Sequence, residues 1–259
     1  MKVYLNQIEG IADAIVSLHM SKRTWTREKE LEIRHICNEV CDIDGMVNKE
    51  HLMYPQFTEL VEKIVRFGPQ HITLLRYIDF SFTIEGMHRG AQDDFDSHAK
   101  RLENRIIRSS TRLATFGNEM SDYYKNKIIT TDGVIAQLNQ IQMPERIYLD
   151  NAGKIIPEES ITEEMIQNQV AHSFVKAING YIREDLKDDN DVKRGLYMLS
   201  IPSNFIFKIN CTEFAHVLKM RDKNSHAHPE LQIGVEGMLK AINNQYEWFT
   251  REFFYSIQN

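Results

Sequence analysis

The stretch "ITLLRYIDFSFTIEG" (72–86) constrains the fold more than any other part of this chain. Ile78, Phe80, Phe82 and Ile84 alternate with Asp79, Ser81 and Thr83. A period of two places the four apolar side chains on one face of a strand, and that face must be covered by something else. "SNFIFKIN" (203–210) repeats the alternation, and residues 2–6 read as a third, shorter strand. A helical layer suits the covering role, because most of the remaining chain carries helical spacing.

"IEGIADAIVSLHMS" (8–21) and "REKELEIRHICNEVCDI" (27–43) read as helices. In "QFTELVEKIVRFG" (56–68), Phe57, Leu60, Val61, Ile64 and Val65 share a face, and Gly68 is placed to end the helix. Residues 87–98 are polar and acidic and are expected as an exposed loop, followed by an arginine-rich helix over 99–115. "PERIYLDNAGKIIPEES" (144–160) reads as turns around a small hairpin with Asn151–Gly153 at its tip. A Ser-x-x-Glu capping box opens a long amphipathic helix over 160–184. Another helix starts after the acidic turn in "DLKDDNDVKRGLYML", "CTEFAHVLKMR" (211–221) forms a helix directly after the second strand, and the last forty residues are helical and aromatic-rich. No internal repeat or clear linker interrupts the chain. The expected fold is therefore α+β, a twisted, mainly antiparallel sheet flanked by helices, in one domain over 1–259.

With a net charge of −6, the chain lacks the basic surface that general binding to nucleic acid requires. No run of about eighteen apolar residues is available to cross a membrane. The acidic start "MKVYLNQIEGIADAIV" lacks the plan of a signal peptide, and three cysteines are too few for a disulfide framework. A cytoplasmic protein is expected.

Cys37 and Cys41 lie four apart on one helix face, near His35, but no second cysteine pair completes a zinc set, so core packing is expected. His216, His226, His228 and Glu230 offer metal donors without an i, i+4 histidine pair, and a helix-to-helix loop is the preferred reading. No metal is expected. Scattered single glycines exclude a P-loop or a dinucleotide fingerprint. Arg101, Arg105, Arg108 and Arg112 recur at helical spacing. Such a row most often marks a solvated face, the preferred reading from spacing alone, although it would also suit one phosphate held by bidentate guanidinium donors.

Four segments, in order, resemble those of flavin-dependent thymidylate synthases. "FGPQHITLLRYIDFSFTI" (67–84) is similar to the family's Gly-His-x-Ser/Thr segment and the strand after it. "STRLATFGNEMSDYY" (110–124) resembles the Arg-His-Arg signature: Arg112, Thr115, Asn118, Glu119, Ser121 and Tyr124 match, and Gly117 is inserted. Ser110, Thr111 and Tyr123 stand where the family has arginine, histidine and arginine. Arg194 lies sixteen residues before Asn210, similar to a nucleotide-binding arginine of the family. "INCTEFAHVLKMRDKNSHAHPEL" (209–231) matches at Asn210, Arg221, Ala227, Glu230 and Leu231, with Thr212 at an FAD-side arginine.

The resemblance implies FAD-dependent methylation of dUMP, with methylenetetrahydrofolate and NADPH as co-substrates, in a homotetramer that builds each site from several subunits. It implies His71, Thr73, Arg112 and Asn210 as FAD contacts. Glu119, Ser121, Arg194 and Arg221 are implied as nucleotide contacts, with Arg221 also the catalytic residue. Hydride chemistry belongs to the flavin, so no protein nucleophile is needed. Ser110 and Tyr123 leave open a flavin enzyme for another pyrimidine nucleotide, or a non-catalytic nucleotide-binding or structural homologue.

Overall fold

The computed structural model describes residues 1–96, 105–108, 148–149, 155–156, 202–222, 225, 227 and 229–258. They group into two compact units. The larger comprises Lys2–Ile84, Asp94–Ile107 and Phe205–Asn259, and the smaller comprises Met1, Glu85–Asp93 and Arg108–Asn204.

In chain order the elements are β1 (Lys2–Glu9), α1 (Ile11–Ser21), α2 (Arg27–Val40) and α3 (Tyr54–Phe67). A 3-10 turn (Gly68–Gln70) leads to α4 (Ile72–Leu75), β2 (Asp79–His88), α5 (Arg89–Asp96) and β3 (Arg105–Arg108). Strands β4 (Tyr148–Leu149) and β5 (Ile155–Ile156) follow, then β6 (Pro202–Asn210), α6 (Cys211–Arg221), α7 (Pro229–Gln245) and α8 (Arg251–Gln258).

The main sheet has the order β1-β2-β6-β3. Asn6 on β1 exchanges side-chain hydrogen bonds with Thr83 on β2, at 2.9 and 3.1 Å. Further along, Lys208 on β6 reaches both Glu9 and Asp79. As β1 advances from residue 6 to 9, β2 runs back from 83 to 79, so the two strands are antiparallel. The backbone N–H of Cys211 donates to Ile78 O at 2.8 Å and that of Gly86 to Asn204 Oδ1 at 3.0 Å, so β6 runs back from 211 to 204 as β2 advances from 78 to 86, again antiparallel. The architecture is the expected α+β one.

The alternation places its apolar face as expected. Ile78, Phe80, Phe82 and Ile84 are fully buried, while Asp79, Ser81 and Thr83 are half-buried. Phe80 and Phe82 meet Phe214 of α6, with ring centroids 6.0 and 6.3 Å apart. Phe254 of α8 stands edge-on to Phe214 at 4.9 Å. On β6, Phe205, Phe207 and Ile209 are buried and Ile206 is exposed. Helix α7 lies against β1, where the missing side chain of Gly237 lets Val3 approach; a Cβ there would sit 2.9 Å from Val3 Cγ2.

Several boundaries differ from the sequence expectation. Strand β1 runs on to Glu9 and α1 begins only at Ile11, because Gly10 turns the chain at φ +82°. A Cβ at Gly10 would meet Tyr77 O at 1.6 Å, so no other residue fits that turn. Helix α2 stops at Val40, and Cys41 turns extended to bridge Val47, while Asp42 Oδ1 accepts from the N–H groups of Asp44 and Met46. Residues 72–75 form a helical turn before the strand begins.

Two segments are corrected. The expected loop over 87–98 contains helix α5, whose Ala91 and Phe95 are buried one turn apart. Phe95 packs on Phe207 at 5.1 Å, and that burial outweighs the polar composition of its neighbours. Within the expected arginine-rich helix, residues 105–108 form the edge strand β3. The β-branched pair Ile106–Ile107 suits a strand once a sheet edge is there to receive it. The hairpin expected near 144–160 is present in its paired residues, Tyr148 with Ile156 and Leu149 with Ile155, antiparallel. Its tip, the helix expected over 160–184 and the helix expected after "DLKDD" lie outside the described residues.

Candidate functional site

Of the residues implicated by sequence, Glu119, Ser121, Arg112 and Arg194 lie outside the described residues, as do Ser110 and Tyr123. His71, Thr73, Asn210 and Arg221 are all carried by the larger unit.

His71 sits at the joint between the 3-10 turn and α4. Its backbone N–H donates to Phe67 O and Gly68 O, each at 3.0 Å, and its carbonyl accepts from Leu74 N–H at 2.9 Å. Leu74 and Leu75 are buried and anchor the turn. The side chains of His71 and Thr73 are exposed, and neither is engaged by another described residue. Short helix α4 rests on α6, and the 3-10 turn rests on α8. The fold therefore presents an imidazole and a hydroxyl, two residues apart, on a rigidly backed turn.

Asn210 is buried and caps α6, its Oδ1 accepting from Glu213 N–H at 2.9 Å and from Thr212 Oγ1 at 2.6 Å. Asparagine is a favoured cap because its short carboxamide reaches the free N–H groups of the first turn. Thr212, at the position of a family arginine, is buried and adds a hydrogen bond to that cap in place of a cation.

Arg221 ends α6, about 15 Å from its start by helical rise. The side chain is half-buried, and its Nε is enclosed with no hydrogen-bond partner among the described residues. A buried guanidinium donor left unmatched costs free energy unless something else supplies an acceptor. Asn210 and Arg221 are thus held at opposite ends of one helix.

Sequence reasoning passed over the residues that hold this helix end. Asp222, fully buried, directs its carboxylate to Arg251 Nη1 and Tyr255 Oη, both on α8. Arg251 Nη2 pairs with Glu236 of α7. The only local hint is the i, i+4 spacing of Arg251 and Tyr255 in an otherwise aromatic helix. Arg108, from the arginine row, is engaged in the smaller unit by Asp93 Oδ1 at 2.5 Å and Gln92 O at 3.0 Å.

The cysteines are packing groups, as expected. Burial pushes the Cys37 thiol up to about 12 and raises Cys211 further, so both stay protonated. Cys41 Sγ lies 3.6 Å from Tyr246 Oη. Among the described residues no group of three or more donors could hold a metal ion, and His226 and His228 fall outside them. No helix among the described residues is long and apolar enough to cross a membrane.

The family model described as thymidylate synthase complementing protein matches residues 14–246. No curated protein matches the chain. Among solved structures, the flavin-dependent thymidylate synthase ThyX of Helicobacter pylori, complexed with FAD and dUMP, is similar with a TM-score of 0.60 and 14% identity, over 97% of this chain and 99% of that one. The UMP/dUMP methylase PolB of Streptomyces cacaoi, bound with 5-Br dUMP, is similar with a TM-score of 0.58 and 11% identity, over 99% of this chain and 94% of that one. At such identities the structures speak for the fold, whereas the family match spans most of the sequence. The chain belongs to the thymidylate synthase complementing protein family, the family of the flavin-dependent thymidylate synthases.

Proposed function

We propose that this protein methylates dUMP to dTMP, with FAD as cofactor and methylenetetrahydrofolate and NADPH as co-substrates. The observation that carries the reading is Arg221, a family-matching arginine whose enclosed Nε–H has no acceptor among the described residues. A planar guanidinium in that state suits a ligand carbonyl or phosphoryl oxygen. The exposed His71 and Thr73, unengaged among the described residues, fit a cofactor contact, and Arg112 joins them in the proposal. Asn210 contributes through the helix start that it caps. FAD, when bound, supplies the hydride chemistry.

The chain's own residues bind and orient. Arg194 grips the nucleotide dianion, Glu119 and Ser121 bond ribose or phosphate oxygens, and Arg221 stabilises charge developing on the uracil carbonyl. Arg194→Ala is expected to lose a charge-assisted hydrogen bond of about 1.5–3 kcal/mol. That is roughly a ten- to hundredfold loss of dUMP affinity by calorimetry. Unchanged affinity in the folded variant would reject this role.

A homotetramer with shared sites is part of the proposal, and light scattering with FAD present tests it. The whole reading is tested by the absorbance spectrum of purified protein before and after FAD addition, followed by turnover of dUMP. No bound flavin and no turnover would defeat it. A second reading, action on another pyrimidine nucleotide, is favoured by Ser110 and Tyr123 in place of arginines and by a fold shared with a UMP/dUMP methylase. Turnover of UMP beside dUMP separates the two.

A further inference from the structure

Helix α6 delivers Arg221, and the residue directly after it is a fully buried carboxylate. The Asp222 side chain receives Arg251 and Tyr255 from α8. Its backbone N–H donates to Leu218 O at 3.0 Å, completing the last turn of α6. Its carbonyl accepts from Ser225 N–H at 3.0 Å and Ser225 Oγ at 2.7 Å. Gln232 of α7 donates to Ser225 O and Ala227 O, at 2.9 and 3.0 Å, and so ties down the start of α7. Arg251 spans the remaining gap, one nitrogen on Asp222 and the other on Glu236. Three helices are thereby pinned at one point, one residue from a guanidinium whose Nε has no partner among the described residues.

We infer that Asp222, Arg251 and Tyr255 form a positioning device for Arg221, holding its side chain in the orientation that receives the nucleotide. None of the three needs to touch the nucleotide. An arginine side chain loses much rotamer freedom when fixed, and prior fixation lowers the cost of binding. The bidentate span of Arg251 is specific to guanidinium, because a lysine ammonium is a compact point charge without the planar fork. The inference rests on the proposed role of Arg221 only for its link to the nucleotide.

The test uses the full chain with Arg251→Lys and Tyr255→Phe, which leave Asp222 a cationic or hydrogen-bonding partner and so keep the protein folded. In the ligand-free protein, hydrogen exchange of the Arg221 Nε–H is followed by NMR, with Arg221→Lys assigning the signal. Exchange is expected to be slow in the wild type and clearly faster in both variants. Unchanged exchange in the folded variants overturns the inference, whatever the protein binds. Calorimetry with dUMP gives the second readout. Arg251→Lys is expected to weaken binding about tenfold, and the loss should vanish in an Arg221→Ala background. An equal loss in both backgrounds shows a merely structural role and overturns the inference. A wild type that binds no dUMP defeats the functional reading instead, while the exchange measurement still decides the positioning role.

Discussion

Turnover of dUMP by the Arg221→Ala protein is expected to fall about 100- to 1,000-fold, with a smaller change in nucleotide affinity. In the wild type the guanidinium is half-buried at the end of α6, where partial exclusion of water strengthens any charge it meets. Donors held in place before the reaction, as the inferred clamp on Asp222 would hold them, stabilise a developing oxyanion with little reorganisation. Alanine removes the donor and leaves water to solvate the charge. Single-turnover measurements separate the chemical step from binding. If the folded variant keeps the wild-type rate and loses only affinity, Arg221 is a binding group and the charge-stabilising role is wrong.

Phe214→Ala is expected to destabilise the protein by about 3–5 kcal/mol, the usual range for emptying an aromatic site in a packed core. The ring is fully buried and meets Phe80 and Phe82 of β2 and Phe254 of α8. It therefore joins the strand, the helix that ends in Arg221 and the helix that carries Arg251. Tm should fall on the order of 10 °C for a chain of this size. Ile43→Ala is the control: Ile43 is 95% exposed, and its loss should change stability by less than about 0.5 kcal/mol. Urea unfolding checks both variants. Similar midpoints for the two would show that Phe214 is not part of the core.

The sequence by itself determined which faces are buried wherever a period was long enough to read. Ile78 to Ile84 and Phe205 to Ile209 lie inward as their alternation required, because a pleated strand leaves each side chain one choice of face. The helix over 211–221 and the burial of Cys37 were legible for the same local reason. So was the pairing of residues 148–149 with 155–156 across a turn-forming sequence. Tertiary structure alone decided the short segments. Residues 105–108 are strand because a sheet edge pairs with them, and 89–96 are helix because Phe95 finds Phe205 and Phe207, more than a hundred positions away. The candidate site divides along the same line. Asn210 and Arg221 were singled out by the resemblance of residues 209–231 to a family segment. The clamp on Asp222 joins residues 222, 236, 251 and 255, and an ion pair across such separations imprints no period on the sequence. Only packing α6, α7 and α8 together brings those charges into reach of one another.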